Sequence, residues 1–432
     1  SYRIEQDLFT AEANATFESD TRTVRLKSWV AATENILVIE IICDGTPTLF
    51  EPELWIASGR GSESELHADL PIPCAWRRFA KHCEIETGAG FATALVAGPS
   101  EGSLDGFTLS PGEGAVLVAP VVSNFDAPDY VEAARERAAT LTASGVADIE
   151  KLNAEHRAWW AQFWNASLVE IDDPVIEAQY FRSQYILASA SRNPQFPPSI
   201  FGTWITTDDP SWMGDYHLNY NHMAPYYGLY SSNHIEQAAP YEAPILDFVE
   251  RGRFYASSLL GTRGVYFPVG IGPKGVETTW DDAPVDQNRP HYQGEGLFFG
   301  QKSNAAYAVV NVSMRWYATY DLQYARQLYP FVLDVAEFWQ DYLKQDGDRL
   351  IIEADSIHEG SGEDFNPILS LGLVRCVFET VIDMSTELGV DEMRRHRWQE
   401  ILENVSSFPT YQRDGKAVFS LSERGVEWWH AN

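Results

Sequence analysis

The stretch Asp129-Tyr130-Val131-Glu132-Ala133-Ala134-Arg135-Glu136-Arg137-Ala138-Ala139-Thr140-Leu141-Thr142 decides how this chain divides. It is rich in Ala, Glu and Arg and holds no Gly or Pro, so it is composed of helix formers without a breaker. Upstream the pattern is different. Runs such as Ile36-Leu37-Val38-Ile39-Glu40-Ile41-Ile42 and Gly114-Ala115-Val116-Leu117-Val118-Ala119 are short, apolar and bounded by Gly, Pro and Asp. Such runs read as strands. The spacing predicts an antiparallel β-sandwich over residues 1–127 and a helical linker over 128–170.

Downstream of the quoted stretch, a second helix is expected over about 147–164, ending in Trp159, Trp160, Phe163 and Trp164. Those aromatics recur at helical spacing and are read as packing residues. Further helices are expected near 174–191, 236–259, 302–320, 322–344, 366–389 and 391–405, with no strands between them. Helices in regular alternation stack as hairpins, so 171–432 is read as a helical toroid. The loops 202–228 and 261–300 are long, as functional loops often are. About six to nine helices fit after residue 170, whereas six closed hairpins need about twelve. The expectation is therefore a β domain followed by an (α/α)6 toroid that is incomplete within this chain, with a second piece of the same barrel as a partner.

At 432 residues the chain is too long for one core. Its net charge of −31 repels nucleic acid and anionic membrane, which excludes both as partners. No run of apolar residues is long enough to span a bilayer. Four cysteines (Cys43, Cys74, Cys83, Cys376) show no metal-ligand spacing. Cys74 and Cys83 are read equally as a loop-closing bridge or as two buried thiols. His217, His222 and His234 lack the spacing of a zinc helix, so no metal and no cofactor is expected. Sequons at Asn14, Asn165, Asn311 and Asn404 lean toward a secreted or periplasmic protein. The 14 Trp, 20 Tyr and 22 Phe are read first as core, and any excess beyond core needs suits a cleft that stacks on the apolar faces of sugars.

Two segments carry candidate chemistry. The first runs from Trp204 through Trp212, Asp215, Tyr216, His217, Asn219 and Asn221. In an extended segment Asn219 and Asn221 face one side and present two amides to one point. The competing reading is that both asparagines serve turns. The second segment holds Glu353, Asp355, His358, Glu359, Glu363 and Asp364, five carboxylates within twelve residues. Crowded carboxylates raise one another's pKa, which suits a general acid. Here the competing readings are a calcium loop or an acidic helix N-terminus. Trp280, beside Asp281 and Asp282, is a weaker candidate for the same cleft.

At Tyr180–Arg192, Pro197–Trp204, Leu218–Asn221, Tyr329-Pro330 and the segment around Glu359, the sequence resembles glycoside hydrolase family 95, the inverting α-L-fucosidases and α-L-galactosidases. The resemblance covers about residues 155–405. It implies an (α/α)6 barrel behind a β-sandwich. It also implies that Glu359 is the general acid and that Asn219 and Asn221 position the attacking water beside a carboxylate. Trp204, Trp212, Asp215, Tyr216, His217, Trp280 and His358 are then expected around an oligo- or polysaccharide. Two departures stand out: His358 replaces the Pro usual before the acid, and Asn366–Gly372 differs from the usual Met-Asp sequence. The family's general base belongs to a late barrel segment and is expected outside this chain. A polysaccharide lyase, a sugar phosphorylase and a non-catalytic carbohydrate-binding protein are the alternatives.

Overall fold

The computed structural model describes residues 1–56, 62–79, 84–99, 104, 106–205, 207, 210–278, 298–360 and 363–424. Trp280 and Cys83 lie outside the described residues. The chain forms two compact units, Ser1–Tyr185 and Ile186–Asn432.

The first unit opens with β1 (Tyr2–Asp7), β2 (Glu12–Glu18), β3 (Arg22–Val30), β4 (Ile36–Gly45) and the short β5 (Thr48–Phe50). It continues with β6 (Glu63–His67), β7 (Cys74–Phe79), β8 (Thr87–Ala92), β9 (Ala94–Ala97), β10 (Phe107–Leu109) and β11 (Glu113–Ser123). All pairings are antiparallel, in the order β1-β2-β3-β4-β11-β8-β7-β6, with β9 also on β11 and β5 on β10. Long β11 is the hinge of this path. Its Glu113–Pro120 pairs β4, and its Val121–Ser123 pairs β8.

Two helices then cover the strands: α1 (Tyr130–Ser144) and α2 (Val146–Ala166). Asp129 caps α1 by accepting from the Glu132 N–H, which supplies one of the bonds a helix start lacks. Ala134, Ala138 and Leu141 of α1 join Val38, Cys74, Ala92 and Val118 in one core. The helix can lie this close because β8 has glycines beneath it. A Cβ on Gly90 would sit 2.8 Å from Val131 Cα. The aromatic run of α2 is packing, as its spacing indicated: Trp160 and Phe163 are buried, and Trp160 stacks on Tyr185.

In the second unit the long helices are α8 (Asn304–Thr319), α9 (Leu322–Tyr342), α10 (Ile368–Leu388) and α11 (Glu392–Asn404). α3 (Pro174–Ala190) runs from the first unit into the second, and within the second unit the long helices follow α4 (Tyr227–Ser231), α5 (Ile235–Ala238), α6 (Glu242–Asp247) and α7 (Val249–Tyr255). One apolar core joins them, with Trp316, Phe331, Phe338, Trp339, Phe378 and Trp398 fully buried.

Three expectations need correction. The helix expected over 236–259 is broken into α5, α6, α7 and tighter turns. Pro240 and Pro244 remove N–H donors there, so the i to i−4 ladder cannot run through. The helices are also not free of strands, since short hairpins β12 (Tyr216–His217) with β13 (Gly270–Ile271), β14 (Lys344–Asp346) with β15 (Arg349–Ile351), and β16 (Thr410–Arg413) with β17 (Lys416–Phe419) lie between or after them. Finally, the Asn311 sequon is fully buried, its amide donating to the Met223 carbonyl at 3.0 Å, so it offers no glycan site.

Candidate active site

The site is assembled from three segments of the second unit that are distant in sequence. The first is β12 with the turn after it. Tyr216 and His217 pair with Ile271 and Gly270, and the Leu218 N–H donates to the Val269 carbonyl at 2.6 Å. This ladder fixes Asp215, His217 and Asn219. Beyond it the chain turns at once: the His222 N–H bonds back to the His217 carbonyl, and Met223 N–H to that of Tyr220. Asn219 and Asn221 therefore do not share a face as an extended segment would place them. Asn219 is 2% exposed and points inward, whereas Asn221 is exposed.

The second segment is the acidic loop. Its five carboxylates are dispersed rather than crowded. Glu353 pairs with Lys344 at the surface. Asp355 is fully buried and accepts from the N–H groups of Lys302 (2.7 Å) and Ser356 (2.8 Å) and from the Ser370 hydroxyl. Asp364 accepts from the Ile357 N–H, and its backbone bridges that of Asp355. Neither Glu363 nor Asp364 caps a helix: α10 starts after Pro367. Asn366 closes the loop by accepting from the Ile352 N–H at 2.8 Å. Glu359 alone of the five reaches the first segment.

At Glu359 the contacts converge. Its Oε1 accepts from Asn219 Nδ2 at 2.9 Å and lies 3.4 Å from His217 Nε2. His217 Nδ1 lies 3.0 Å from Asp215 Oδ1. Asn219 Nδ2 also donates to Gln301 Oε1 at 3.1 Å. Gln301 begins the third segment, the buried polar run Gln301-Lys302-Ser303-Asn304 that leads into α8. The Gly360 N–H donates to the Phe299 carbonyl, tying the acidic loop to this segment as well.

The charges follow from these contacts. The His217 hydrogen bond holds the Glu359 carboxyl down to about 2, burial opposes it, and Asn219 and His358 add to the fall. Burial pulls His217 down, but Asp215 and Glu359 outweigh it and raise the imidazole to about 9. For Asp215 burial wins over the His217 contact, and its carboxyl is raised. The low value at Glu359 is opposite to what crowding predicts, because its neighbours are donors and not carboxylates.

The expected sugar contacts divide in two. Trp204 and Trp212 are 55% and 61% exposed, and Trp212 lies 6.2 Å from the His217 ring, so both offer free faces. His358 is half-buried beside Glu359. Tyr216 is a core residue instead, 6% exposed and packed on His222. Asp215 is buried and committed to His217, and both ring nitrogens of His217 are engaged by carboxylates. Sequence reading missed Gln301 and Gly270. A Cβ on Gly270 would lie 2.0 Å from Asp215 Oδ2, so this glycine makes the room Asp215 occupies. The three consecutive polar residues before α8, with Asn304 at its start, were the available signal for Gln301, but such a run reads first as a helix cap.

Comparison with known proteins gives a consistent setting. Residues 138–417 match the glycosyl hydrolase family 95 catalytic domain. No curated protein sequence matches the chain. Among solved structures, a putative kojibiose phosphorylase from the human microbiome matches at 11% identity with a TM-score of 0.66. The match covers 98% of this chain and 59% of that one. A bacterial glucoamylase complexed with acarbose matches at 10% identity and TM-score 0.46, covering 94% of this chain and 57% of that one. A family GH92 α-mannosidase from Bacteroides thetaiotaomicron, complexed with mannoimidazole, matches at 12% identity and TM-score 0.35, covering 93% of this chain and 49% of that one. At such identity the first of these shows the fold alone: an antiparallel β domain followed by helices of the (α/α)6 toroid class. This chain spans about 59% of the length of that phosphorylase.

Proposed function

Since the chain belongs to glycosyl hydrolase family 95 by a match over residues 138–417, we propose that it acts as an inverting glycoside hydrolase with Glu359 as its general acid. The observation that carries this reading is the convergence of Asn219 and His217 on one oxygen of Glu359, a third of whose side chain stays exposed. A carboxyl group fixed at one oxygen and open at the other is placed to meet a leaving group. The substrate is a terminal α-L-fucose- or α-L-galactose-like residue of an oligo- or polysaccharide. Trp204 and Trp212 supply the exposed ring faces for it.

In this mechanism Glu359 protonates the glycosidic oxygen. Asn219 fixes the carboxyl and Asn221, on the exposed side of the same turn, helps to hold the attacking water. Inversion needs a base about 6.5–9.5 Å from the acid, on the far side of that water. Secretion or a periplasmic site fits a polysaccharide substrate.

The test is hydrolysis of aryl α-L-fucoside and α-L-galactoside by the purified protein, with intact mass measured to detect a co-purifying second piece. Glu359→Gln is expected to lower kcat at least about 100-fold, the usual scale of general-acid loss, with the fold unchanged. An unaffected kcat refutes the assignment. Proton NMR of the first-formed anomer reports inversion. Running the assay with added phosphate separates hydrolysis from phosphorolysis, which uses the same acid.

A further inference from the structure

His217 sits between two carboxylates. Its Nδ1 faces Asp215 Oδ1 at 3.0 Å and its Nε2 faces Glu359 Oε1 at 3.4 Å. A neutral imidazole has one N–H and one lone pair, so it can satisfy only one of these acceptors and repels the other. The imidazolium, with two N–H groups, satisfies both. With both carboxyls ionised, the geometry therefore selects the charged ring. The ring cannot slide away from this position, because the β12–β13 ladder holds its backbone and Trp212 lies against it. Asp215 is in turn confined by Gly270 and Thr278.

We propose that His217, held by Asp215, stores the proton that Glu359 hands to the leaving oxygen. This rests on Glu359 being the general acid. In the free site the proton is on His217 Nε2 and Glu359 is a carboxylate. When the glycosidic oxygen enters, the proton moves from Nε2 to Glu359 Oε1 and a half-turn of the carboxyl presents the protonated oxygen to the leaving group, leaving a neutral ring whose Nδ1–H still bonds Asp215. As the C1–O bond breaks, its electron pair goes to the leaving oxygen, which takes the proton from Glu359. The attacking water forms the new C1–O bond and gives a proton to the base. Solvent then reprotonates His217, and the base releases its proton, so the cycle closes. His217 acts through Glu359 and is a positioning residue.

Among the described residues, the titratable groups facing this unit are Asp215 and Glu359 on His217 itself, and His358 beside Glu359. Neutral Asn219, Gln301 and Thr278 complete the surroundings. The raised value of the ring, about 9, agrees with the geometry. Because the proton is shared, the alkaline limb of activity belongs to the pair rather than to a lone carboxyl.

The proposal is tested by nitrogen NMR titration of the His217 ring in this chain, in Glu359→Gln and in Asp215→Asn. The expected result is a doubly protonated ring at pH 7.5 in the wild type, with a midpoint that falls by at least one pH unit in Glu359→Gln. A ring that is neutral at pH 7.5, or a midpoint that Glu359→Gln leaves in place, overturns the proposal. Glu359→Gln keeps the test valid if Asp215→Asn does not fold, and neither titration needs turnover. In the hydrolysis assay, His217→Gln is expected to move the alkaline limb toward acid, so that the ratio of rates at pH 8 and pH 5 falls at least 10-fold. An essential Glu359 with an unmoved limb in His217→Gln overturns the proton store alone. Activity that survives Glu359→Gln overturns the acid reading, and with it the store.

Discussion

Replacing Asp355 by Asn isolates the charge of a buried lysine beneath the acidic loop. Asp355 Oδ1 accepts from the Lys302 and Ser356 N–H groups, and Oδ2 from the Ser370 hydroxyl. In Asp355→Asn the retained oxygen can keep both backbone bonds. The new amide can donate to Ser370, whose hydroxyl also accepts. Shape and hydrogen bonding are thus nearly preserved, and what is lost is the negative charge that opposes the Lys302 ammonium, itself 3% exposed and bonded to the Gly300 carbonyl. Burial already lowers the Lys302 pKa, and Asp355 is the group that raises it. Leaving a buried charge uncompensated costs about 3–5 kcal/mol. Lys302 can escape by losing its proton, which from its ordinary value costs about 4.6 kcal/mol at pH 7 and sets a ceiling. The expected loss is therefore about 3–4.6 kcal/mol, read by urea unfolding with Trp fluorescence at pH 7. The sign with pH is fixed as well. With the folded Lys302 value depressed further, the unfolded chain binds more protons, so the variant regains stability as pH rises toward the ordinary lysine value. Lys302→Met added to Asp355→Asn removes the stranded charge and is expected to restore part of the loss. A single-variant cost under about 1 kcal/mol, or a double variant no better than the sum of the singles, refutes this account.

Gly270→Ala drives a methyl group into Asp215 and is expected to destabilise the chain by about 1–3 kcal/mol, in thermal or urea unfolding, and to lower the His217 midpoint. An unmoved midpoint shows that Asp215 does not depend on that space. In the first unit, Arg157 grips buried Glu12 through two hydrogen bonds of 2.8 and 2.7 Å. Burial raises the Glu12 value, but Arg157 and Asn153 outweigh it and the net shift is downward. Its contribution is therefore present above the unfolded carboxyl range near pH 4.3 and is lost as pH falls through the lowered value. Because Arg157 is half exposed, Glu12→Gln is expected to cost only about 1–2 kcal/mol at pH 7, a difference that disappears as pH falls through the lowered Glu12 value. A pH-independent difference in urea midpoints contradicts the assignment.

Much of the fold was legible in the residues one after another. Helix formers without breakers specify α1, α2, α8 and α11, and short bounded apolar runs specify strands such as β4 and β11, because both follow from local backbone preference and period. Where local rules compete, the reading failed. Pro240 and Pro244 broke a segment whose apolar spacing argued for one helix. Of the two readings open for Asn219 and Asn221, an extended segment or a turn, the structure takes the turn. Glu359 was legible as the residue of interest, but its ionisation was not. The sequence places it among carboxylates, and the tertiary structure surrounds it with donors. His217 lies 142 residues from Glu359, and Gln301 lies 82 from Asn219. Proximity at that separation is created by packing and leaves no periodic trace. By itself, then, the sequence determined the elements and the family, since those depend on short-range composition. Only the tertiary structure decided which side chains meet at Glu359, since that depends on distances of about 3 Å between segments no local rule connects.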